Sequence, residues 1–201
     1  HGLAAMPAED GDRVLDLGTG SGYALRALAD THDLAGGVGL DGAPERARNA
    51  AAYNDDAGAT ALSVVVGQFG ALPLADDSVD HVVSMEAFYY SDDPVETLRE
   101  LRRVLAPGGT VHVAVNYYEE NVHSHDWQEN IGVEMTRWGA ADYRAAFRDA
   151  GLHVAEQDNV ADTDVDIPPV ESFPTESWDT REAMVERYRD LGTLLTVGIA
   201  P

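Results

Sequence analysis

The chain has 201 residues, 44% of them hydrophobic, which is enough to bury one substantial core, so a single domain over residues 1–201 is expected. It carries 36 acidic and 13 basic residues, a formal net charge of −23. That charge weighs against nucleic acid as a partner, because contacts to phosphate dominate such binding. The absence of cysteine excludes disulfides, thiolate nucleophiles and cysteine-based zinc sites.

All 13 basic residues are arginine, and the composition is similar to that of haloarchaeal proteins adapted to concentrated intracellular salt. Self-repulsion destabilises so acidic a chain, but at about 1 M salt the screening length falls to roughly 3 Å. Salt also weakens the argument against nucleic acid, which is therefore an unfavoured but not an excluded partner. No apolar run reaches 18 residues and no signal peptide is recognisable, so we expect a cytoplasmic protein without membrane contact.

Apolar runs alternate with helical stretches along the chain, a pattern typical of a parallel sheet with crossover helices. The predicted strands span 13–17, 37–41, 61–67, 80–85, 110–116, 152–157 and 193–200. The predicted helices span 21–31, 44–52, 92–105, 140–150 and 180–191. An insertion at about 158–192, rich in Pro and Asp, separates the last two strands and is expected to form a substrate lid or a docking element.

The segment DLGTGSGY, from Asp16 to Tyr23, joins the first strand to the first helix. Its glycines at 18, 20 and 22 allow positive φ angles and let a ligand approach the backbone closely. Asp16 places a carboxylate at the carboxyl end of the strand, where open α/β sheets bind ligands. The segment therefore predicts a nucleoside-type cofactor, although a loop of this kind can also be no more than a tight turn.

Two details of the loop distinguish between cofactors. A dinucleotide fingerprint, G-x-G-x-x-G, would require glycine where the chain has Tyr23. Asp16 would also lie close to a diphosphate and repel it. Both features disfavour a dinucleotide and favour a cationic nucleoside without phosphate.

At this point the chain resembles the class I S-adenosylmethionine-dependent methyltransferases, most closely their small-molecule branch. Four segments carry the resemblance, in the family's order: VLDLGTGSGY, GLDGAPERARNA, GQFGALPLADDSVDHVVSMEA and LRRVLAPGGTVHVAV. The resemblance implies a three-layer α/β/α Rossmann-like fold. Its seven-stranded, mostly parallel sheet would have the strand order 3-2-1-4-5-7-6.

The resemblance also implies S-adenosylmethionine as the cofactor and a role for each matching residue. Asp41 would accept the ribose hydroxyls, although it could instead only cap the next helix. Gln68 would contact the adenine amino group, and Phe69 would cover the adenine face unless it belongs to the core. The full implied set is Asp16, Gly18, Thr19, Gly20, Gly22, Asp41, Gly42, Gln68, Phe69 and Met85.

Methyl transfer from a sulfonium needs positioning and desolvation, and a base only where the acceptor arrives protonated. Glu86, at the end of strand four, is the candidate base; as an alternative it only hydrogen-bonds the cofactor loop. Aromatic residues after strands four and five could wall an acceptor pocket and hold an amine by cation–π contacts, or they could simply pack. They are Tyr89, Tyr90, Tyr117, Tyr118 and Trp127.

The segment His123-Ser124-His125-Asp126-Trp127 contains two histidines. Two imidazoles flanking one serine in a loop are more typical of a surface or substrate-facing segment than of a metal site, so no metal is expected. We expect this segment to fold over the acceptor pocket.

Strand three is expected at the edge of the sheet, and its residues Leu62 to Val66 are apolar without strict alternation. An apolar edge strand invites pairing with another chain. Some archaeal methyltransferases that resemble this chain pair there with a small zinc-binding activator. A second copy of the chain, or a segment upstream of His1, could cover the edge instead, since the chain does not start with Met and an upstream segment is expected.

The sequence thus predicts a methyltransferase acting on N, O or C of a small molecule. Two alternatives stay open: an RNA or protein methyltransferase, and a catalytically silent cofactor-binding regulatory subunit. The branches that methylate adenine or glutamine nitrogens carry Asn-Pro-Pro-Tyr after strand four, where this chain has Ser84-Met85-Glu86-Ala87. That difference argues against those branches but not against other RNA or protein methyltransferases.

Overall fold

The computed structural model describes residues 6–56 and 61–201. Their seven strands form one sheet in the order β3-β2-β1-β4-β5-β7-β6, which confirms the predicted order. The strands are β1 Arg13–Leu17, β2 Gly36–Asp41, β3 Leu62–Val66, β4 Val79–Met85, β5 Leu105–Val115, β6 His153–Val160 and β7 Thr193–Ile199. Strands β1 to β5 pair in parallel, and β7 runs antiparallel to both neighbours, β5 and β6.

Six α-helices connect these strands: α1 Tyr23–Ala29, α2 Pro44–Asp56, α3 Pro94–Val104, α4 Trp127–Ile131, α5 Ala140–Asp149 and α6 Arg181–Val185. Helix α3 begins as predicted, because the Asp93 side chain accepts from the Glu96 N–H at 3.0 Å and Pro94 occupies the first turn. It ends at Val104, and β5 begins at the next residue, Leu105, with Pro107, Gly108 and Gly109 inside the strand.

Apolar side chains cover both faces of the sheet, which gives the expected three layers. On one face α1 buries Leu25 and Leu28 against Val14 and Val83. Helix α2 lies beside α1 on that face. On the other face α3 and α5 pack on each other and cover the larger core, with Leu98, Leu101 and Phe147 fully buried.

Several predicted boundaries differ from those of the structure, and three of the differences have a local reason. Strand β5 starts at Leu105 rather than 110, because Leu105 pairs with Val79 and the backbones of Gly108 and Gly109 bond to Ala200. Strand β6 extends to Val160, so the insertion begins at residue 161. The predicted helix 180–191 is α-helical only to Val185 and continues as a π-helix to Leu191; its cap, Thr180, is as predicted and accepts from the Ala183 N–H at 3.2 Å.

Truncation of Leu101 tests the packing of α3 on the sheet. The side chain is fully buried, and Leu101→Ala should lower the free energy of unfolding by about 2–5 kcal/mol because it leaves a cavity. Denaturant unfolding at constant high salt would measure this. Arg99→Ala on the exposed face of the same helix is the control and should change stability by less than about 0.5 kcal/mol; an equal loss in both variants would contradict the packing described.

Candidate functional site

The glycine loop after β1 is held from two sides. The N–H groups of Gly18 and Thr19 donate to the Leu40 carbonyl at 2.7 and 3.0 Å. Below the loop, the Thr19 hydroxyl donates to Asp16 Oδ2 at 2.7 Å. Positive φ angles at Gly18 (78°) and Gly20 (54°) make the turn possible. The loop is thus a fixed backbone cradle at the carboxyl edge of the sheet.

Asp41, at the end of β2, connects this loop to the next helix. Its Oδ2 accepts from the Gly20 N–H at 3.0 Å, and its Oδ1 accepts from the Ala43 N–H at 2.8 Å. A carboxylate offers about four lone-pair positions, so two backbone bonds leave acceptor capacity for a ligand. The carboxylate is buried and lies in the wall of a cavity.

That cavity, here called the loop cavity, has a volume of about 590 Å³, within the range typical of small-molecule sites. It joins the ends of β1, β2, β3 and β4. Five of the residues predicted to form the site line it: Gly18, Asp41, Gly42, Gln68 and Phe69, together with the candidate base Glu86 and the aromatic Tyr90.

The other predicted cofactor residues do not line the loop cavity. Gly20 lies in the loop, where its N–H bonds to Asp41. Asp16 and Thr19 are buried beneath the loop, and Gly22 faces Arg26 and Asn54 where α1 meets α2. Met85 points to the opposite face of the sheet, where it lines a separate cavity of about 220 Å³. Residue spacing alone did not reveal this, because the chain leaves the strand at Glu86, directly after Met85, with a positive φ.

Sequence reasoning missed several residues of the loop cavity. They come from the first turn of α2, the start of α3 and the segment after α4, and are Ala43, Arg46, Ser91, Asp92, Asp93, Glu96, Thr97, Ile131 and Val133. Among the described residues that line it, Arg46 is the only cation against five carboxylates. The wall therefore suits a cationic ligand and disfavours a diphosphate.

Glu86 has the most unusual environment in the loop cavity. Its backbone has a φ of 53°, rare for a residue with a side chain, and its N–H donates to the Ala114 carbonyl at 2.9 Å. Burial raises the pKa of its carboxyl to about 7, although the Tyr89 hydroxyl, the Arg187 guanidinium and the Asn116 backbone favour the charged form. A carboxyl with this pKa can exchange protons near neutral pH.

Asp16 is the second carboxyl near the loop whose pKa is raised. Desolvation raises its pKa to about 6; the Thr19 hydroxyl bond opposes this rise, and the charge of Asp41 adds to it. A cation bound above the loop would favour the ionised form of Asp16.

The predicted aromatic residues divide into a row and an outlier. Tyr90, Tyr89, Tyr117 and Trp127 follow one another with ring centroids 4.7, 5.7 and 6.5 Å apart. Tyr118 does not join them: its hydroxyl donates to the Leu191 carbonyl at 2.8 Å and accepts from the Asn159 side chain at 2.9 Å. Tyr118 holds the end of the insertion to the sheet.

The two histidines of segment 123–127 have protein partners. His123 Nε2 lies 3.0 Å from Glu186 Oε2, and His125 Nε2 lies 2.8 Å from the Glu119 carbonyl. Across residues 6–56 and 61–201, no three His, Cys, Asp or Glu side chains are grouped to hold a metal ion. Over the same ranges, no helix combines the length and apolar character needed to cross a membrane.

The insertion, residues 161–192, does not cover the loop cavity. None of its described residues lines that cavity. Residues between Glu176 and Tyr188 instead line a different cavity beside α4. The role predicted for the insertion, a substrate lid or a docking element, stays a prediction.

Comparison with known proteins adds to this geometry. A family profile described as "Methyltransferase domain" matches residues 15–113. In the solved complex between the Trm112 methyltransferase activator of Haloferax volcanii and a methyltransferase, the similar chain shares 66% identity with a TM-score of 0.96, over 100% of this chain and 88% of that one.

Curated relatives are more distant. Malonyl-[acyl-carrier protein] O-methyltransferase 1 of Coxiella burnetii is 38% identical over 96 residues, 48% of this chain and 30% of that protein. The 24-methylenesterol C-methyltransferase 2 of Arabidopsis thaliana is 29% identical over 206 residues, 98% of this chain and 55% of that protein. The chain thus spans about a third to a half of these relatives. Together with the fold and the loop, these matches place the chain in the class I S-adenosylmethionine-dependent methyltransferases.

Proposed function

We propose that this chain is a methyltransferase that uses S-adenosylmethionine to methylate a small molecule at N, O or C. The observation that carries the proposal is that Gly18, Asp41 and Glu86 line one cavity. A cradle for a nucleoside and a carboxyl able to exchange protons near neutral pH therefore share one space. The curated relatives support a small acceptor, because their names give malonyl-[acyl-carrier protein] and a sterol as substrates.

The residues fit the cofactor in three respects. The Gly20 position is open, since a Cβ built there would meet no atom closer than 4.0 Å. Asp41 has acceptor capacity left for ribose hydroxyls after its two backbone bonds. The acidic wall suits the cofactor's positive charges. When bound, S-adenosylmethionine would supply an electrophilic methyl group on a sulfonium sulfur.

Within this proposal each residue has one task. Asp41 and the backbone of the glycine loop would bind and orient the cofactor, with Phe69 against its flat base and Gln68 at the rim. Phe69 is half-buried beside Gly18, and Gln68 is exposed. Glu86 would accept the proton that an N–H or O–H acceptor loses, and Tyr89 would orient its carboxylate by hydrogen bonding.

Gly18→Ala tests the cradle. A Cβ at Gly18 would lie 2.2 Å from the Ala87 Cβ, so the loop must shift. We expect S-adenosylhomocysteine, measured by calorimetry, to bind at least about tenfold more weakly than to the unchanged protein. Gly108→Ala is the matched control, because Gly108 has a similar φ of 83° but open space around it.

Binding of S-adenosylhomocysteine that is unchanged in Gly18→Ala would contradict the proposed cradle. Binding of NADH in place of S-adenosylhomocysteine would instead favour a dinucleotide enzyme. A labelled-methyl assay on small-molecule and RNA-plus-protein fractions of a cell extract separates the remaining functions. Label in a small molecule supports the proposal, label in RNA or protein supports that alternative, and binding without label supports a silent regulatory subunit.

Glu86→Gln tests the base. Because the pKa of Glu86 is raised to about 7, the carboxylate forms as pH rises through 7, and turnover should increase over that range. The Gln variant should have turnover about 10²-fold lower and independent of pH there. Glu156→Gln, an exposed change on β6, is the control. A Gln variant that keeps the pH profile of the unchanged enzyme would exclude Glu86 as the base.

The raised pKa of Glu86 also predicts how the stability of the fold depends on pH. Its pKa is about 7 when folded and 4.5 when unfolded, so the folded state binds the proton more tightly. Stability from this group should therefore be present below pH 4.5 and lost as pH rises to 7. Glu86→Gln should abolish this part of the pH dependence in thermal unfolding, which gives a readout that does not depend on turnover.

We also propose that an activator subunit pairs with strand β3. The Haloferax volcanii relative was solved in complex with the Trm112 methyltransferase activator, which supports a partner of that kind. Strand β3 is an edge of the sheet, and Val66 at its end is 53% exposed. A free edge strand offers backbone hydrogen-bonding groups to another chain.

The cytoplasmic location expected from the sequence stays a prediction.

Val66→Asp tests this edge. A charge on the apolar edge should weaken binding of recombinant Haloferax volcanii Trm112 by at least about tenfold in size-exclusion chromatography and calorimetry. Val170→Asp is the matched control, because Val170 is equally apolar and 62% exposed but lies in the insertion. Equal loss in both variants, or none in Val66→Asp, would place the partner elsewhere. Self-association of the chain alone that is lost in Val66→Asp would indicate a homodimer instead.

A further inference from the structure

A second large cavity lies between the segment after β5 and the insertion. We call it the insertion cavity; its volume is about 770 Å³. Two stretches line it, residues 123–130 and residues 176–188. None of the glycine-loop residues lines it, so it is not part of the proposed cofactor site.

The insertion cavity has a buried cation in its wall. Arg187 is only 6% exposed, and its Nη1 donates to the Gly192 carbonyl at 3.1 Å. Within the described ranges its Nε and Nη2 make no hydrogen bond to protein, its guanidinium has no carboxylate within ion-pair distance, and neither nitrogen is sealed from solvent. The guanidinium also acts electrostatically on the Glu86 carboxyl, so its charge has a counterpart nearby. Its two free donor groups point to a ligand that accepts hydrogen bonds from them.

Aromatic rings form the rest of the wall. The Trp178 ring lies 5.4 Å from that of His123 and 5.6 Å from that of Tyr188, and Trp127 lines the cavity from α4. The Arg187 guanidinium lies 5.1 Å from the centre of the Tyr188 ring, which fixes its orientation. Such walls accept a flat or apolar body beside the charged group.

The aromatic row links the insertion cavity to the loop cavity. Trp127 stacks on Tyr117, which meets Tyr89 edge-on. The Tyr89 hydroxyl donates to Glu86 Oε2 at 3.3 Å, and Glu86 lines the loop cavity. Ring contacts therefore connect the insertion cavity to the candidate base, and the Arg187 guanidinium also acts electrostatically on Glu86.

The charges around the cavity favour one kind of anion. Among the residues that line it, all of them described, Arg187 is the only arginine, and His123 is paired with Glu186. The carboxylates of Asp126, Glu176 and Asp179 stand exposed at its rim. The acidic rim repels anions, so only the charge and free donors of Arg187 favour one, and a carboxylate meets less repulsion there than a phosphate dianion.

We propose that the insertion cavity binds the carboxylate group of the methyl acceptor, with Arg187 as its anchor and Trp127 and Trp178 packing on its body. The role as an acceptor site rests on the proposed methyltransferase function; the carboxylate site itself does not. Arg187 is in this view a specificity-determining residue, which selects acceptors by charge at a distance from the methylated atom.

Tryptophan fluorescence gives a direct test, since Trp127 and Trp178 are two of the three tryptophans of the chain. The probes are phenylacetate and its neutral analogue phenylacetamide, titrated at one ionic strength with and without S-adenosylhomocysteine. We expect saturable quenching by phenylacetate and at least about tenfold weaker binding of phenylacetamide. Inorganic phosphate is a third titration, and tighter binding of phosphate would overturn the carboxylate assignment.

Two variants make the test specific. Arg187→Gln should bind phenylacetate at least about tenfold more weakly while its affinity for phenylacetamide stays unchanged. Arg99→Gln removes the same charge from an exposed position on α3 and should bind phenylacetate as the unchanged protein does. Ala183→Leu keeps Arg187 and fills the cavity from α6, so it should weaken the binding of both phenylacetate and phenylacetamide. This variant tests the cavity if Arg187→Gln does not fold.

The outcomes separate this proposal from the function on which its acceptor role rests. If S-adenosylhomocysteine binds by calorimetry but no saturable phenylacetate binding is found, the carboxylate site is wrong and the cofactor site stands. If phenylacetate binds and Arg187→Gln does not weaken it, the anchor is wrong. If phenylacetate binding depends on Arg187 but S-adenosylhomocysteine does not bind, the carboxylate site stands and the methyltransferase proposal fails.

Discussion

The hydrogen bond from the Gly20 N–H to Asp41 Oδ2 holds the site together, because it joins the loop after β1 to the end of β2. The parallel register places Asp16 beside Gly39, and that glycine leaves room for Thr19; a Cβ there would lie 2.7 Å from the threonine hydroxyl. Thr19 in turn binds Asp16 from above. The cradle therefore depends on the packing of two neighbouring strand ends as well as on its own glycines.

This arrangement concentrates buried negative charge in a chain that already carries −23. Concentrated salt screens exposed carboxylates, but it reaches Asp16 and Glu86 poorly because Asp16 is buried and Glu86 is partly buried. Desolvation accordingly raises the pKa of Asp16 to about 6 and that of Glu86 to about 7. A bound cation would stabilise the ionised form of Asp16. The raised pKa of Glu86 instead allows this carboxyl to exchange a proton near neutral pH. Acidic composition and site chemistry are thus separate features of this protein.

The sequence predicted what local patterns control. Strand order and the positions of Gly18 and Asp41 follow from spacing, glycine geometry and the family resemblance, and the structure confirms the order. Met85 and Glu86 show the limit: strand periodicity cannot reveal that the chain turns at Glu86 with a φ of 53°, which sends the two side chains to different cavities. The partner of Tyr118 lies 73 residues away, at Leu191, and no local pattern encodes such a contact.

In this acidic chain, hydrogen bonds from arginine side chains to backbone carbonyls hold the insertion in place. Arg189 binds the carbonyls of Asp162 and Val165, and Arg181 binds that of Pro168, so single guanidinium groups join segments that share little apolar contact. Arg103 does the same elsewhere, where it bonds two carbonyls and two carboxylates. Arg187 differs, since it is more deeply buried than these and makes one protein hydrogen bond. Its remaining donors are free of protein partners beside the insertion cavity, and the proposed carboxylate site rests on that difference.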